Sequence, residues 1–285
     1  MTRRGQIRIG TSGWRYARWR GDFYPVGLRQ RDELGHLAQR VNTLELNGSF
    51  YSLQRPDSFR AWAASTPDDF IFAVKGGRYI THLRKLVDVE TALANHCASG
   101  ILALGTGLGP TLWQLPARLA FDAAQLETFL ALLPRTAQDV ADLAARHDDK
   151  VPQARALTRL APGVDPRTPV RHALEPRHES FANPRASELL SRYAVALVES
   201  DSAGTWPRFE AVTSDFGYVR LHGETTLYSG GYCEGSLDRW ATKLGAWAAE
   251  GRDAYVYFDN DADGRAPYDA VALLARVREL PAVER

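Results

Sequence analysis

Cysteine and lysine are scarce in this chain of 285 residues: two cysteines, and only four lysines (Lys75, Lys85, Lys150, Lys243) among 35 cationic side chains. Cys97 and Cys233 lie in neither a C-x-x-C nor a metal spacing, which excludes a disulfide framework and fits two thiols in a reducing compartment. Net charge is equally sparse at +1, so no broad basic face draws the chain to nucleic acid or an anionic membrane, and a polyanion site has to be local. No run of about 18 apolar residues is present to span a bilayer. Met1–Gln6 is polar and basic with no apolar stretch behind it, so no membrane association and a cytoplasmic location are expected.

What is present is an ordinary globular composition, 45% apolar and 24% charged, long enough for one large core or two medium ones. Eight short β-branched or aromatic runs read as strands: Ile7–Gly10, Thr43–Asn47, Phe70–Lys75, Thr111–Leu115, Val170–Glu175, Ala194–Glu199, Tyr218–His222 and Ala254–Phe258. Helical periodicity fills the gaps at Arg31–Arg40, Asp57–Ser65, Val89–Ala103, Ala123–Leu133, Pro184–Arg192, Leu237–Glu250 and Tyr268–Leu280. Eight strands alternating with helices predict an α/β fold, a single (β/α)8 TIM-type barrel over residues 1–285. Thr136–Thr168, helical at Ala137–His147, reads as an insertion before strand five, too short for a core of its own. No Gly-x-Gly-x-x-Gly follows the first strand, which argues against a dinucleotide fold.

Side chains alternate across a strand, so polar residues of one parity point to one side. Thr43, Glu45 and Asn47 share a face against Leu44 and Leu46; Glu175 and Arg177 oppose His172 and Leu174; Tyr218, Arg220 and His222 oppose Val219 and Leu221. Lys75 and Gln114 fall at the ends of their own strands. These groups gather at the C-terminal strand ends, where barrels of this class build active sites. Glu45 and Glu175 are paired-carboxylate candidates for general acid and base, with His178 and His222 as proton carriers. Lys75, Arg177 and Arg220 are anion-binding candidates, alongside Asn47, His82, Gln114, Asn260 and Trp14 as substrate contacts. An ion pair such as Glu175 with Arg177 or Lys75 serving structure alone is the competing reading.

His-Glu-x-x-His is absent, and a calcium loop begun at Asp259 would carry Ala270 where glutamate is needed. A divalent metal is compatible with the acidic pair, but no motif supports one, and the cofactor stays unassigned. Aromatics crowd the loops after strands, among them Trp14, Tyr16, Phe50, Tyr51, Tyr79, Trp206 and Tyr228; they either pack beneath loops or stack on a base or sugar.

The ordered segments Ile9–Trp14, Trp19–Pro25, Asn42–Asn47 with Phe50-Tyr51, Thr81-His82, Gln114–Pro116, Glu175–Phe181, Tyr218–Gly223 and Tyr255–Asp261 resemble the YecE-like family, domain of unknown function 72. The resemblance implies a TIM-type barrel, with strand four at Leu112–Gln114 and Ile101–Leu104 ending the helix before it; it implies no established reaction. It points to Glu45, Asn47, Lys75, His82, Gln114, Glu175, Arg177, His178, Arg220, His222 and Asn260. The sequence departs from that pattern at Phe181, at Asp259 and in the 136–168 segment. The expected function is hydrolysis of a phosphorylated or other anionic substrate, with a nucleic-acid phosphodiester included because the family's barrel loosely resembles apurinic-site endonuclease barrels. The alternatives are a non-catalytic binder of nucleic acid or a small anion, and a sugar isomerase or glycosidase. The expected partner is thus a small anionic or phosphorylated ligand, with nucleic acid left open.

Overall fold

A computed structural model describes residues 3–280. Among the described residues nine strands belong to one sheet in the order β6-β5-β4-β3-β2-β1-β9-β8-β7. They are β1 (Ile7–Ser12), β2 (Thr43–Leu46), β3 (Ile71–Lys75), β4 (Leu108–Gln114), β5 (His172–Glu175), β6 (Val195–Leu197), β7 (Glu199–Ser202), β8 (Phe216–Gly223) and β9 (Asp253–Phe258). The ladders β1·β2, β1·β9, β3·β4, β4·β5, β7·β8 and β8·β9 are parallel. Helices α1 (Glu33–Ala38), α2 (Gly48–Tyr51), α3 (Pro56–Ala64), α4 (Glu90–Ala98), α5 (Ala123–Leu132), α6 (Ala137–Ala144), α7 (Pro184–Arg192), α8 (Glu234–Ala249) and α9 (Ala266–Glu279) alternate with the strands. This is the expected α/β class of the TIM-type barrel.

The chain divides into two compact units, residues 1–45 with 196–285, and residues 46–195. In the first, β1, β9, β8 and β7 lie side by side, and β9 is buried along its whole length. A strand covered on both faces has no solvent side to make polar, which explains the near-continuous Ala-Tyr-Val-Tyr-Phe run. In the second, β3, β4 and β5 carry α3, α4, α5 and α6. Helix starts here follow cap chemistry: Asp122 accepts the Gln125 amide at 2.9 Å at the head of α5, and Thr136 and Asp139 close a reciprocal capping box on α6.

Three elements differ from expectation. The sixth expected strand is two, β6 and β7, separated at Val198; beside the break the Leu197 amide donates to the Thr213 hydroxyl at 2.8 Å instead of to a strand. Val89–Ala103 is not one helix, because α4 stops at Gly100, whose φ of +121° favours glycine and where a Cβ would meet Pro56 Cα at 2.6 Å. Ile101–Gly107 is a separate 3-10 segment, and β4 starts at Leu108, earlier than the Leu112 expected from the resemblance. Among the described residues no helix is long and apolar enough to cross a membrane.

Candidate functional site

In the first unit the ends of β1, β2, β8 and β9 bring a polar network together. Ser12 lies opposite Glu45 in the β1·β2 register, and its hydroxyl donates to Glu45 Oε1 at 2.5 Å. Arg220 Nη2 donates to the same oxygen at 2.8 Å, while Arg220 Nε and the Tyr218 hydroxyl reach Oε2 at 3.1 and 2.7 Å. Four donors therefore fill both oxygens of a fully buried carboxylate, the condition under which a buried ion pair is tolerated. Arg220 Nη2 also donates to Asp259 Oδ2 at 3.1 Å, and His222 Nδ1 lies 3.0 Å from that oxygen. His222 Nε2 sits 3.4 Å from Arg220 Nη1. The guanidinium donates, so this geometry fits an imidazole whose Nδ1–H points to Asp259 and whose Nε2 carries the lone pair.

Asp261 lies beside this network and is buried. Burial, and then the charge of Asp259, push its carboxyl well above the ordinary range, with Tyr16 and Trp19 acting in the opposite direction. Burial, and then Glu45, likewise push the Tyr218 hydroxyl upward, so it serves as a neutral donor.

The second unit holds a different group. Glu175 Oε1 accepts from Arg177 Nε at 3.2 Å and Nη2 at 3.1 Å. Lys75 Nζ sits over the Phe50 ring, 4.7 Å from its centroid, and Phe50 meets His82 edge-on at 5.1 Å. His82 lies in a π-helical turn, Tyr79–Leu83, just beyond β3; its Nδ1 is 2.9 Å from the Thr81 hydroxyl and its Nε2 is 3.4 Å from the Gln114 amide nitrogen. Burial, then the charges of Lys75, Arg177 and Arg78, push its imidazole down to about 4, with Glu175 acting in the opposite direction. His82 is thus neutral near pH 7 within an excess of positive charge.

The remaining expected site residues sit elsewhere. Asn260 donates to the Gly230 carbonyl and to Asp269 Oδ2, both at 2.7 Å, and so ties a loop to α9. The His178 ring accepts the Ser180 amide at 3.2 Å and caps a 3-10 turn. Trp14 is buried, and its carbonyl accepts the Tyr24 hydroxyl at 2.8 Å. Asn47 stands at the head of α2, past the end of β2. The sequence reading placed Tyr218 on the face of Arg220 without giving it a role, and it missed Ser12, Asp259 and Asp261 as members of a polar network. Ser12 sits in the turn after the first expected strand and Asp259 marks a departure from the family pattern, so two of those three carried a signal. Among the described residues no cluster of three or more His, Cys, Asp or Glu side chains is arranged to hold a metal ion.

The family model described as "Protein of unknown function DUF72" matches residues 8–284. The chain belongs to the DUF72 family. A DUF72 family protein from Thermotoga maritima has a similar crystal structure, with a TM-score of 0.74 at 22% identity, covering 96% of this chain and 100% of that one. One from Enterococcus faecalis has a TM-score of 0.72 at 15% identity, covering 97% of each chain. These likenesses support the fold of this DUF72 protein. Comparison with curated proteins gives no match.

Proposed function

We propose that this DUF72 protein is a hydrolase of a phosphorylated or other anionic substrate, held by Lys75 and Arg177, with His82 as the proton acceptor. The observation that carries the reading is the charge around His82: Lys75, Arg177 and Arg78 act on one imidazole, opposed by Glu175. A bound anion offsets that positive potential, which is the ordinary logic of phosphate and carboxylate recognition by arginine and lysine.

The same balance supplies a trigger for chemistry. The Gln114 amide faces His82 Nε2, so that nitrogen holds a lone pair. Burial, and then the cations, keep it a weak base; an anion bound to Lys75 and Arg177 screens the cationic part and raises its affinity for a proton. His82 then takes a proton from a water as the water oxygen bonds to the phosphorus or carbonyl carbon of the substrate's ester; the bond to the leaving oxygen breaks, and that oxygen departs with the electron pair and takes the proton back from the His82 imidazolium. Glu175 holds the Arg177 guanidinium in line instead of acting as base, since one of its oxygens already receives two Arg177 N–H groups. Glu45 is assigned the corresponding task for Arg220, because all its acceptor positions toward Ser12, Tyr218 and Arg220 are in use.

The test is a turnover assay with p-nitrophenyl phosphate and its bis-ester, with and without divalent cations, paired with NMR titration of the His82 ring against inorganic phosphate. The expected result is turnover that falls by about two to three orders of magnitude in His82→Gln, within the range typical of general-base removal. In wild type, phosphate raises the His82 pKa. Absence of turnover with that shift intact overturns hydrolysis and leaves anion binding. Absence of both overturns the site.

A further inference from the structure

A cleft of about 560 Å³ opens in the 46–195 unit, a volume in the range of small-molecule sites. Its walls include Phe50, Tyr51 and Tyr79, and Tyr51 and Tyr79 are 72% and 45% exposed, unusually open for rings of that size. His96 of α4 lines it as well. That side chain is only 2% exposed, and among the described residues neither of its ring nitrogens has a hydrogen-bond partner. Buried polar groups are nearly always satisfied, so an imidazole left with a donor and an acceptor unmet beside a cleft marks a place for an outside partner.

The contrast with His172 sharpens the point. His172 also lies under Trp113, but its Nδ1 accepts the Trp113 indole N–H at 3.2 Å and its Nε2 donates to the Pro134 carbonyl at 2.7 Å. One buried histidine is fully used by the protein. The other, His96, tilted against the same tryptophan at 5.7 Å, is not.

Two cations complete the cleft. Arg78 and Lys150 line it, and neither is in an ion pair among the described residues. Lys150 comes from the 136–168 segment, placed where Asp148 Oδ1 accepts both the Asn95 amide and the Lys150 backbone N–H at 2.9 Å. Its ammonium rests 5.0 Å from the centre of the Tyr79 ring. The nearby carboxylates are occupied, Asp88 by Arg84 at 2.9 Å and Asp148 by Asn95. Aromatic walls, a hydrogen-bonding imidazole and cations at the rim together define a ligand with a flat polar ring and a negative group.

We infer that this cleft is a binding site for a planar heteroaromatic anion, its ring between Tyr51 and Tyr79, its polar edge on His96 and its charge on Arg78 and Lys150. The 136–168 segment then has a task, closing one wall of this site. Lys75 and Arg177 do not line the cleft, so the site is distinct from theirs, although Phe50 borders both and Arg78 lines the cleft while its charge also acts on His82.

The probe is adenosine 5′-monophosphate, with adenosine and inorganic phosphate as the two half-ligands, titrated calorimetrically into the full-length protein. The expected result is saturable binding of the nucleotide, at least tenfold weaker binding of either half, and at least tenfold loss in Tyr79→Ala and in Arg78→Ala with Lys150→Ala. His96→Phe loses binding to a similar degree while its melting temperature does not fall, which separates a ligand contact from a structural role. Lys75→Ala weakens phosphate at the other anion group and leaves the Tyr79-dependent binding of the nucleotide in place. Failure of the nucleotide to bind at millimolar concentration, unaltered binding in Tyr79→Ala, or loss of binding in Lys75→Ala each overturns the inference, the last by moving the ligand to the other anion site.

Discussion

Glu45 with Arg220 in one unit, and Glu175 with Arg177 in the other, are built from the same two residue types at strand ends, yet they are finished differently. Around Glu45 the donors match the acceptors: Ser12, Tyr218 and two nitrogens of Arg220 occupy both carboxylate oxygens, and Asp259 takes a further share of the guanidinium. Around Glu175 the neighbouring charges are mostly cationic: burial first, and then Lys75, Arg177 and Arg78, hold the His82 imidazole down to about 4, with Glu175 acting against them. A carboxylate met on both oxygens by protein donors holds a structure in place, whereas three cations acting on one imidazole suit an anionic ligand.

The largest expected effect strikes the answered pair. Glu45→Gln leaves the buried Arg220 guanidinium short of a counter-charge and lowers stability by about 3–5 kcal/mol, read from chemical denaturation. A loss below about 1 kcal/mol would show that Asp259 suffices as the partner, and the contrast would fail.

Next in size, counted for each group, is the response to acid, centred on the 46–195 unit. Burial pushes His96 and His172 down to about 4 from an ordinary 6.5. The unfolded chain binds these protons first, so stability is complete above pH 6.5 and falls as pH drops toward 4, by on the order of 3 kcal/mol for each histidine. His82 adds to the same trend. Asp261 in the other unit works in the opposite sense, since its carboxyl is raised and protonation relieves it. Hydrogen exchange between pH 7 and 4.5 should therefore loosen α4, β4 and β5 before β8 and β9. The reverse order would break the comparison.

A smaller effect on stability, with a large one on binding, is expected for Lys75→Met. The substitution keeps an apolar stem against Phe50 and changes stability by about 1 kcal/mol or less. Phosphate affinity falls at least tenfold, and the His82 pKa rises because a neighbouring cation is gone. An unchanged His82 titration would remove Lys75 from the anion group.

The smallest change is that of Asp259→Asn, at one of the positions where the sequence departs from the family pattern. It shifts stability by less than about 1 kcal/mol, because Arg220 keeps Glu45. Removing the Asp259 charge lets the Asp261 carboxyl titrate lower, measured by carboxyl NMR; no movement would place the cause in burial alone.

Much of this was legible in the amino-acid pattern, for physical reasons. A period of two put Glu45, Tyr218 and Arg220 on one parity, and the hydrogen bonds join them. The expected pairing of Glu175 with Arg177 is present as well. Helix starts at Ala123, Ala137 and Pro184 agree because Asp122, Thr136 and Asn183 are residues whose side chains bind the first amides. Illegible was how far each charge is answered: nothing local in the sequence says that Ser12 reaches Glu45, or that Asn260 spends its amide on Gly230 and Asp269. The break at Val198 was hidden too, since Ala194–Glu199 is apolar enough to continue as one strand. His96 read as one more polar residue on a helix, because being unanswered is a property of neighbours, not of sequence.

The division of the chain also sets an order of events during synthesis. Strand β1 finds its β9 partner only when residues near Ala254 exist, as the Ile7–Ala254 register shows. At ordinary translation speeds that is a delay of roughly 10 to 40 s, through which β1 has β2 but not β9 to pair with. The 46–195 stretch has all its own strands in hand long before then. A ribosome-bound chain halted after residue 195 should accordingly protect β3, β4 and β5 from proteolysis while β1 is still cut, so this protein assembles from its middle outward.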